Sequence, residues 1–157
     1  MAIEPLIDLS TIDLSNVVIS HEEISEMNPQ TGDMRQLDYV AYMNDENNLA
    51  VGIKEVRDDE FWVAGHIPGR PIFPGVLMIE AAAQLSSVLY HVKSKSSHFM
   101  GFTRCSNCSF RGQVVPGDTL VLVSIERKFQ RRRFMCDAQG YVDGNFVFDV
   151  QVTGMMM

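Results

Sequence analysis

The spacing of apolar and polar residues changes along the chain, and each change predicts a different element. Residues 1–36 hold no sustained period, and Asn28–Asp33 (NPQTGD) is turn chemistry, so an irregular arm with a short helix near His21–Met27 is expected. From Leu37 short apolar runs take over. Asp38–Met43 and Leu49–Val56 read as strands joined by the polar turn NDENN, and Glu60–Ala64 as a third strand after RDDE. A long apolar stretch, Ile72–Val92, follows. Pro74 suits a first helical turn. Val76, Leu77, Ile79, Ala83, Leu85, Val88 and Leu89 then cover almost every side, so this helix is expected to be buried on most faces. Phe99–Thr103, Ser109–Val115 and Thr119–Phe129 read as strands, with VPGD as the turn between the last two. The basic run QRRR turns the chain, and Phe134–Val142 and Phe146–Val152 form a hairpin across Asp143-Gly144. Period-two burial puts Phe146, Phe148, Val150 and Val152 on one face of the last strand, and the terminal MMM is expected to fray.

Strands, one long buried helix and more strands make an α+β pattern in which an antiparallel sheet can wrap around the helix. At 157 residues the chain suits one domain over residues 37–154, with residues 1–36 as an arm that has no separate fold. Ile72–Val92 is apolar enough to raise a membrane span, but it holds Glu80, Gln84, Ser86, Ser87 and His91, which favours a core helix without membrane insertion. No Lys or Arg precedes Arg35, so a secretory signal is not expected and the reading is cytoplasmic.

The net charge of −7 is unevenly placed: residues 1–34 carry seven acids and no base, and the remainder is balanced. From Lys93 to Arg133 nine bases face only Asp118 and Glu126, a segment suited to an acidic partner; nothing points to nucleic acid. Cys105, Cys108 and Cys136 are an odd count and read as free thiols. Cys105 and Cys108 form a C-x-x-C without a second ligand pair, and on a regular strand they would face opposite ways, so no metal is expected.

The candidate chemistry lies in GHIPGRPIFPGVLMIEAAAQ, Gly65–Gln84. His66 precedes a glycine/proline-rich turn, and Glu80 sits in the second turn of the apolar helix, so the two read as an acid/base pair able to border one cleft. A charge within VLMIEAAA is costly unless paired, which favours a function for Glu80. Gln84 lies one turn beyond and either hydrogen-bonds Glu80 or meets another subunit. Arg70 supports the turn.

This stretch resembles the signature H-F-P-G-R-P-x-x-P-G-V-L-x-I-E-A-x-A-Q of the β-hydroxyacyl-acyl-carrier-protein dehydratases. A second block, Phe110–Asp118 (FRGQVVPGD), resembles the family's F-R-x-x-V-V-P-G-D. The likeness runs from about Leu49 to Val152, and glutamate at position 80 points to the FabZ type rather than the isomerising FabA type. Two departures stand out: Ile67 replaces the family's phenylalanine, and the N-terminal His-Arg-x-Pro element is absent from NPQTGDMRQLDYV.

The resemblance implies the hotdog fold and a homodimer whose sheets join edge to edge, with trimers of dimers left open. It implies that His66 of one subunit meets Glu80 of the other. Dehydration of a β-hydroxyacyl thioester needs a base, an acid and oxyanion donors. His66 fits the base and Glu80 the acid, with the Gly75 and Val76 N–H groups at the helix start as donors. No cofactor is required, because the thioester itself acidifies the α-proton. The partner implied is an acyl carrier protein, docking on Arg127, Lys128, Arg131, Arg132 and Arg133. The alternatives are a thioesterase or enoyl hydratase on coenzyme A, and a non-catalytic acyl-carrier binding module.

Overall fold

The computed structural model describes residues 3–157. Among these, two α-helices, α1 (His21–Met27) and α2 (Gly75–Ser94), accompany six strands: β1 (Tyr39–Met43), β2 (Leu49–Glu55), β3 (Met100–Phe110), β4 (Thr119–Gln130), β5 (Arg133–Val142) and β6 (Asn145–Met156). The strands form one antiparallel sheet in the order β1-β2-β4-β5-β6-β3, leaving β1 and β3 as edges. The sheet curls around α2, which packs against every strand from β2 to β6. This is the hotdog arrangement.

α2 is the helix long and apolar enough to cross a membrane, yet most of it is enclosed by the sheet. Its apolar wrap, Leu77, Met78, Ala81, Ala82, Leu85, Val88 and Leu89, meets the inner-face residues Leu120, Leu122, Phe148, Val150 and Val152 in one core. Ser86, fully buried among them, is satisfied by the Ala82 carbonyl and the Ser124 hydroxyl. Lys95 ends the helix in a left-handed cap. A second apolar cluster lies on the outer face, where Val51, Ile53, Val121 and Val123 are covered by Leu6, Ile7, Leu9 and Leu14 of the arm. α1 is held by a capping box between Ser20 and Glu23, and its buried Ile24 joins the main core.

Several expectations need correction. Glu60–Ala64 is a series of turns rather than a strand, because Glu60 folds back to accept from the Arg57 backbone N–H and from Lys54 and Trp62. Phe99–Thr103 and Ser109–Val115 are not two strands. One strand, β3, spans Met100–Phe110, and register shifts at Phe102/Arg104 and Ser106/Ser109 interrupt its pattern. The second shift also overturns the expectation that Cys105 and Cys108 face opposite ways, since both lie on the inner side. Phe146 leaves the face of Phe148, because the bulge at Gly140/Tyr141 turns it outward against Tyr141, with ring centroids 5.7 Å apart. The C-terminal methionines are not frayed: Met156 pairs with Met100, and the Met157 N–H donates to the Phe99 carbonyl.

Candidate active site

His66 is placed by a clamp at the start of its loop. Lys54, on β2, is an isolated base in an apolar strand and is only 1% exposed; its Nζ meets Glu60 Oε2 at 2.9 Å, and Glu60 is 4% exposed. The same carboxylate accepts from Trp62 Nε1 at 3.1 Å and from the Arg57 N–H at 2.8 Å. Burial opposes charge on Glu60, but the hydrogen bonds from Arg57, Lys54 and Trp62 outweigh it and hold its carboxyl below the ordinary range. Trp62 in turn packs on Phe73, ring centroids 5.3 Å apart, and its carbonyl accepts from the His66 N–H at 2.8 Å. The Lys54 ammonium lies 5.7 Å from the Phe73 ring centre.

The histidine ring is then oriented by its own loop. His66 Nδ1 lies 2.7 Å from the Ile72 carbonyl oxygen, and the Ile72 N–H returns a bond to the His66 carbonyl at 2.8 Å. A carbonyl only accepts, so Nδ1 carries the proton and donates it, leaving Nε2 with a free lone pair. That tautomer is the one a base requires. Between these residues Ile67 and Arg70 bond through their backbones around Gly69, whose φ of +76° favours glycine. The Arg70 guanidinium reaches Gln113 Oε1 at 3.2 Å, tying the turn to the segment after β3.

Glu80 is held by a different set. Gln84 Nε2 donates to Glu80 Oε1 at 2.8 Å and to the Met34 carbonyl at 2.7 Å, while Gln84 Oε1 accepts from the Gln36 N–H at 2.9 Å. With one acceptor and two donor bonds made, the amide of Gln84 can sit only one way round. Gln30 Nε2 adds a longer contact to Glu80 Oε1, 3.4 Å, and Asn28 Nδ2 bonds the Gln84 carbonyl at 2.9 Å. Oε1 is thus occupied by amide donors, whereas Oε2 has no side-chain partner. Asn28–Gln36, the stretch lacking the family's His-Arg-x-Pro element, is what builds this wall. Sequence reasoning missed this role of the arm, and it also missed the Lys54–Glu60 clamp. The only signal for the clamp was a lone lysine within LAVGIKEV.

The helix start offers the remaining groups. Pro74 precedes α2 without a side-chain cap, and its carbonyl takes the Leu77 and Met78 N–H groups, so Gly75 and Val76 present theirs outward. A Cβ on Gly75 would lie 2.7 Å from the Phe110 ring, so a larger residue there has to displace that ring.

Within one chain the structure does not bring His66 and Glu80 together. Glu80 borders a small pocket of about 170 Å3 with Gln30, Ser87, Phe102, Phe134 and Val152, and His66 is not among its walls. Of the basic candidates, Arg127 is bonded to Asp137 at 2.7 Å, and Lys128 is exposed near the end of β4. Arg131 and Arg132 border a groove with Tyr90, Lys93, His98 and Phe129, beginning one helical turn beyond Ser87. Arg133, the first residue of β5, is only partly exposed. Among the described residues no cluster of three or more His, Cys, Asp or Glu side chains is placed to hold a metal ion.

The model of the FabA-like domain matches residues 28–151. The 3-hydroxyacyl-[acyl-carrier-protein] dehydratase FabZ of Paramagnetospirillum magneticum is 33% identical over 143 residues, covering 89% of this chain and 88% of that protein. The FabZ of Agrobacterium fabrum is 34% identical over 114 residues, covering 72% and 74%. Among solved structures, the dehydratase heterocomplex ApeI:P from Xenorhabdus doucetiae superposes with a TM-score of 0.72 at 14% identity, over 85% of this chain and 90% of that one, a likeness of fold. The matched region contains the whole sheet but its last few residues, together with α2, the His66 loop and Glu80, and on that match the chain belongs to the FabA-like family.

Proposed function

We propose that this chain is a 3-hydroxyacyl-[acyl-carrier-protein] dehydratase of fatty-acid biosynthesis, a lyase that converts the β-hydroxyacyl thioester to the trans-2-enoyl thioester. Membership of the family and the names of the FabZ relatives support the reaction. The observation that carries the reading is the division of labour between two pre-set groups: an imidazole whose Nε2 is free, and a carboxyl group with one oxygen tied down and the other open.

The chemistry follows from those groups. The thioester carbonyl oxygen sits against the Gly75 and Val76 N–H groups, where the positive end of α2 favours developing negative charge. His66 Nε2 removes the α-proton. Glu80 Oε2, carrying a proton, delivers it to the β-hydroxyl as the C–O bond breaks, and water leaves with the new double bond in place. Proton transfer from the imidazolium back to the carboxylate restores the starting state. One oxyanion donor is worth about 3 kcal/mol and a general base at least ~100-fold in rate.

His66 and Glu80 are separate within one chain, so the reading includes a homodimer in which His66 of one copy faces Glu80 of the other. Exposed apolar residues around the site support a covered surface: Val76 is 72% exposed, and Ile67, Phe99, Phe102 and Phe110 are exposed nearby. The groove bearing Arg131 and Arg132 lies one turn further along α2 than the Glu80 pocket, and it is the proposed dock for the acidic carrier.

The test follows the enoyl-thioester absorbance when the protein is given 3-hydroxybutyryl-carrier or crotonyl-carrier, with thiol release measured alongside. Interconversion without thiol release supports the dehydratase. Release of thiol, or binding without turnover, overturns it in favour of a thioesterase or a binding module.

A further inference from the structure

The acyl chain of a β-hydroxyacyl thioester continues past the carbon that Glu80 meets, and it needs an apolar path leading away from that carboxyl group. The pocket of about 170 Å3 that Glu80 borders offers one. Ala83 and Ser87 follow Glu80 at helical spacing on the same side of α2, and both are small, half-buried and lining this pocket. Aromatic rings close its far end. Phe134 is 4% exposed and stands between two spaces: it lines the Glu80 pocket, and it packs on Tyr90, which lines the groove of Arg131 and Arg132, with ring centroids 5.5 Å apart. Tyr90 is itself fixed, because its hydroxyl donates to the Arg131 carbonyl at 2.7 Å and its ring lies 5.4 Å from that of Phe129. Met100 and Met156, opposite each other on β3 and β6, repeat the arrangement, one lining the pocket and the other the groove. Gly154, opposite Phe134 on β6, gives the ring its seat, since a Cβ there would fall on it. The side of the pocket at Phe99 and Phe102 faces the β3 edge that the proposed dimer covers, whereas the end wall is built within one chain.

On the dehydratase reading, on which this inference rests, we propose that Phe134 sets the chain length of the substrate: its ring ends the acyl pocket, so that short and medium 3-hydroxyacyl chains are accepted and long ones are not. At ~30 Å3 per heavy atom, the share that a water molecule takes in the liquid, the pocket holds roughly five or six carbons beyond the three at the reacting end, a limit of about eight or nine in all. A longer chain has to displace a ring held by Tyr90 on one side and seated on Gly154, and a packed core resists such overfilling. The fall in turnover with length is therefore steep.

The experiment measures enoyl-thioester formation by wild type, Phe134→Leu and Ser87→Leu on 3-hydroxyacyl-carriers of four, eight, twelve and sixteen carbons, and compares kcat/KM between lengths within each protein. Wild type is expected to turn over the four- and eight-carbon chains and to fall at least about tenfold at twelve. Phe134→Leu cuts back the end wall and should raise the twelve-to-four ratio at least about tenfold. Ser87→Leu fills the pocket from α2 and should lower the eight-to-four ratio by a similar factor. It removes nothing from the core, so it carries the test should Phe134→Leu fail to fold. Equal turnover of four- and sixteen-carbon chains by wild type overturns the proposal and leaves the dehydratase reading standing, as does an unshifted length profile in Ser87→Leu or in folded Phe134→Leu. Absence of turnover at every length in wild type overturns the dehydratase reading and this inference with it.

Discussion

Replacing Glu60 by Gln removes one charge from a pair whose other member cannot reach water. Lys54 is 1% exposed, and its ammonium is partnered by Glu60 and stands over the Phe73 ring. Breaking a buried pair on one side costs about 3–5 kcal/mol, because the remaining charge stays buried. Gln keeps the volume and one acceptor oxygen, which places the expected loss at the lower end, about 3 kcal/mol. For a chain of this length that corresponds to a fall in Tm of roughly 6–12 °C. Thermal or urea unfolding at one fixed protein concentration reads it, since association shifts the apparent midpoint. The double variant Lys54→Met/Glu60→Gln should recover much of the loss. Acid supplies an independent check. The folded-state carboxyl of Glu60 is held below its ordinary 4.5, so its contribution is complete above that pH and is lost as pH falls through the depressed value. The gap between wild type and Glu60→Gln should therefore close in that acid range. A Glu60→Gln protein within about 0.5 kcal/mol of wild type at neutral pH, or a double variant no more stable than the single, would refute the reasoning.

Further outcomes follow from the same geometry. Gln84→Leu strips Glu80 of its close donor and leaves the Gln36 N–H and Met34 carbonyl unmatched, so stability should fall by about 2–4 kcal/mol in urea titration, with kcat reduced in the remaining folded protein. Gly75→Ala sets a methyl against the Phe110 ring beside the proposed oxyanion donors, and kcat should fall at least about tenfold with little change in KM under steady-state assay. Arg131→Glu/Arg132→Glu should raise KM for a carrier-bound substrate without affecting the coenzyme A thioester, and the difference should shrink as salt is added.

The parts of the fold legible in the sequence are those fixed by short-range physics. α2 was readable because Pro74 marks its start and its apolar residues surround it, and the β5–β6 hairpin because Asp143-Gly144 supplies the positive-φ turn, 50° and 76°. β3 was not readable as one strand, since its bulges break the period-two pattern on which strand assignment depends. Glu60–Ala64 misled for the opposite reason. Within FWVA, Trp62 and Val63 pack against Phe73 and the core while Phe61 and Ala64 are exposed, and none of the four pairs with a strand. At the site, the Glu80–Gln84 bond is an i,i+4 contact and was visible as one of two alternatives. The wall supplied by Asn28, Met34 and Gln36 was not, because its partners lie some fifty residues away in sequence.

The central claim is that one site is built from His66 of one copy and Glu80 of another. His66→Ala and Glu80→Ala chains, differently tagged, can be co-expressed and the hybrid isolated by tandem purification, then assayed for crotonyl-carrier hydration against each parent variant. Each parent should lose more than ~100-fold in rate. A hybrid dimer carries one site with both groups and one with neither, so it should recover about half of the wild-type activity. A hybrid as inactive as its parents would contradict the shared site.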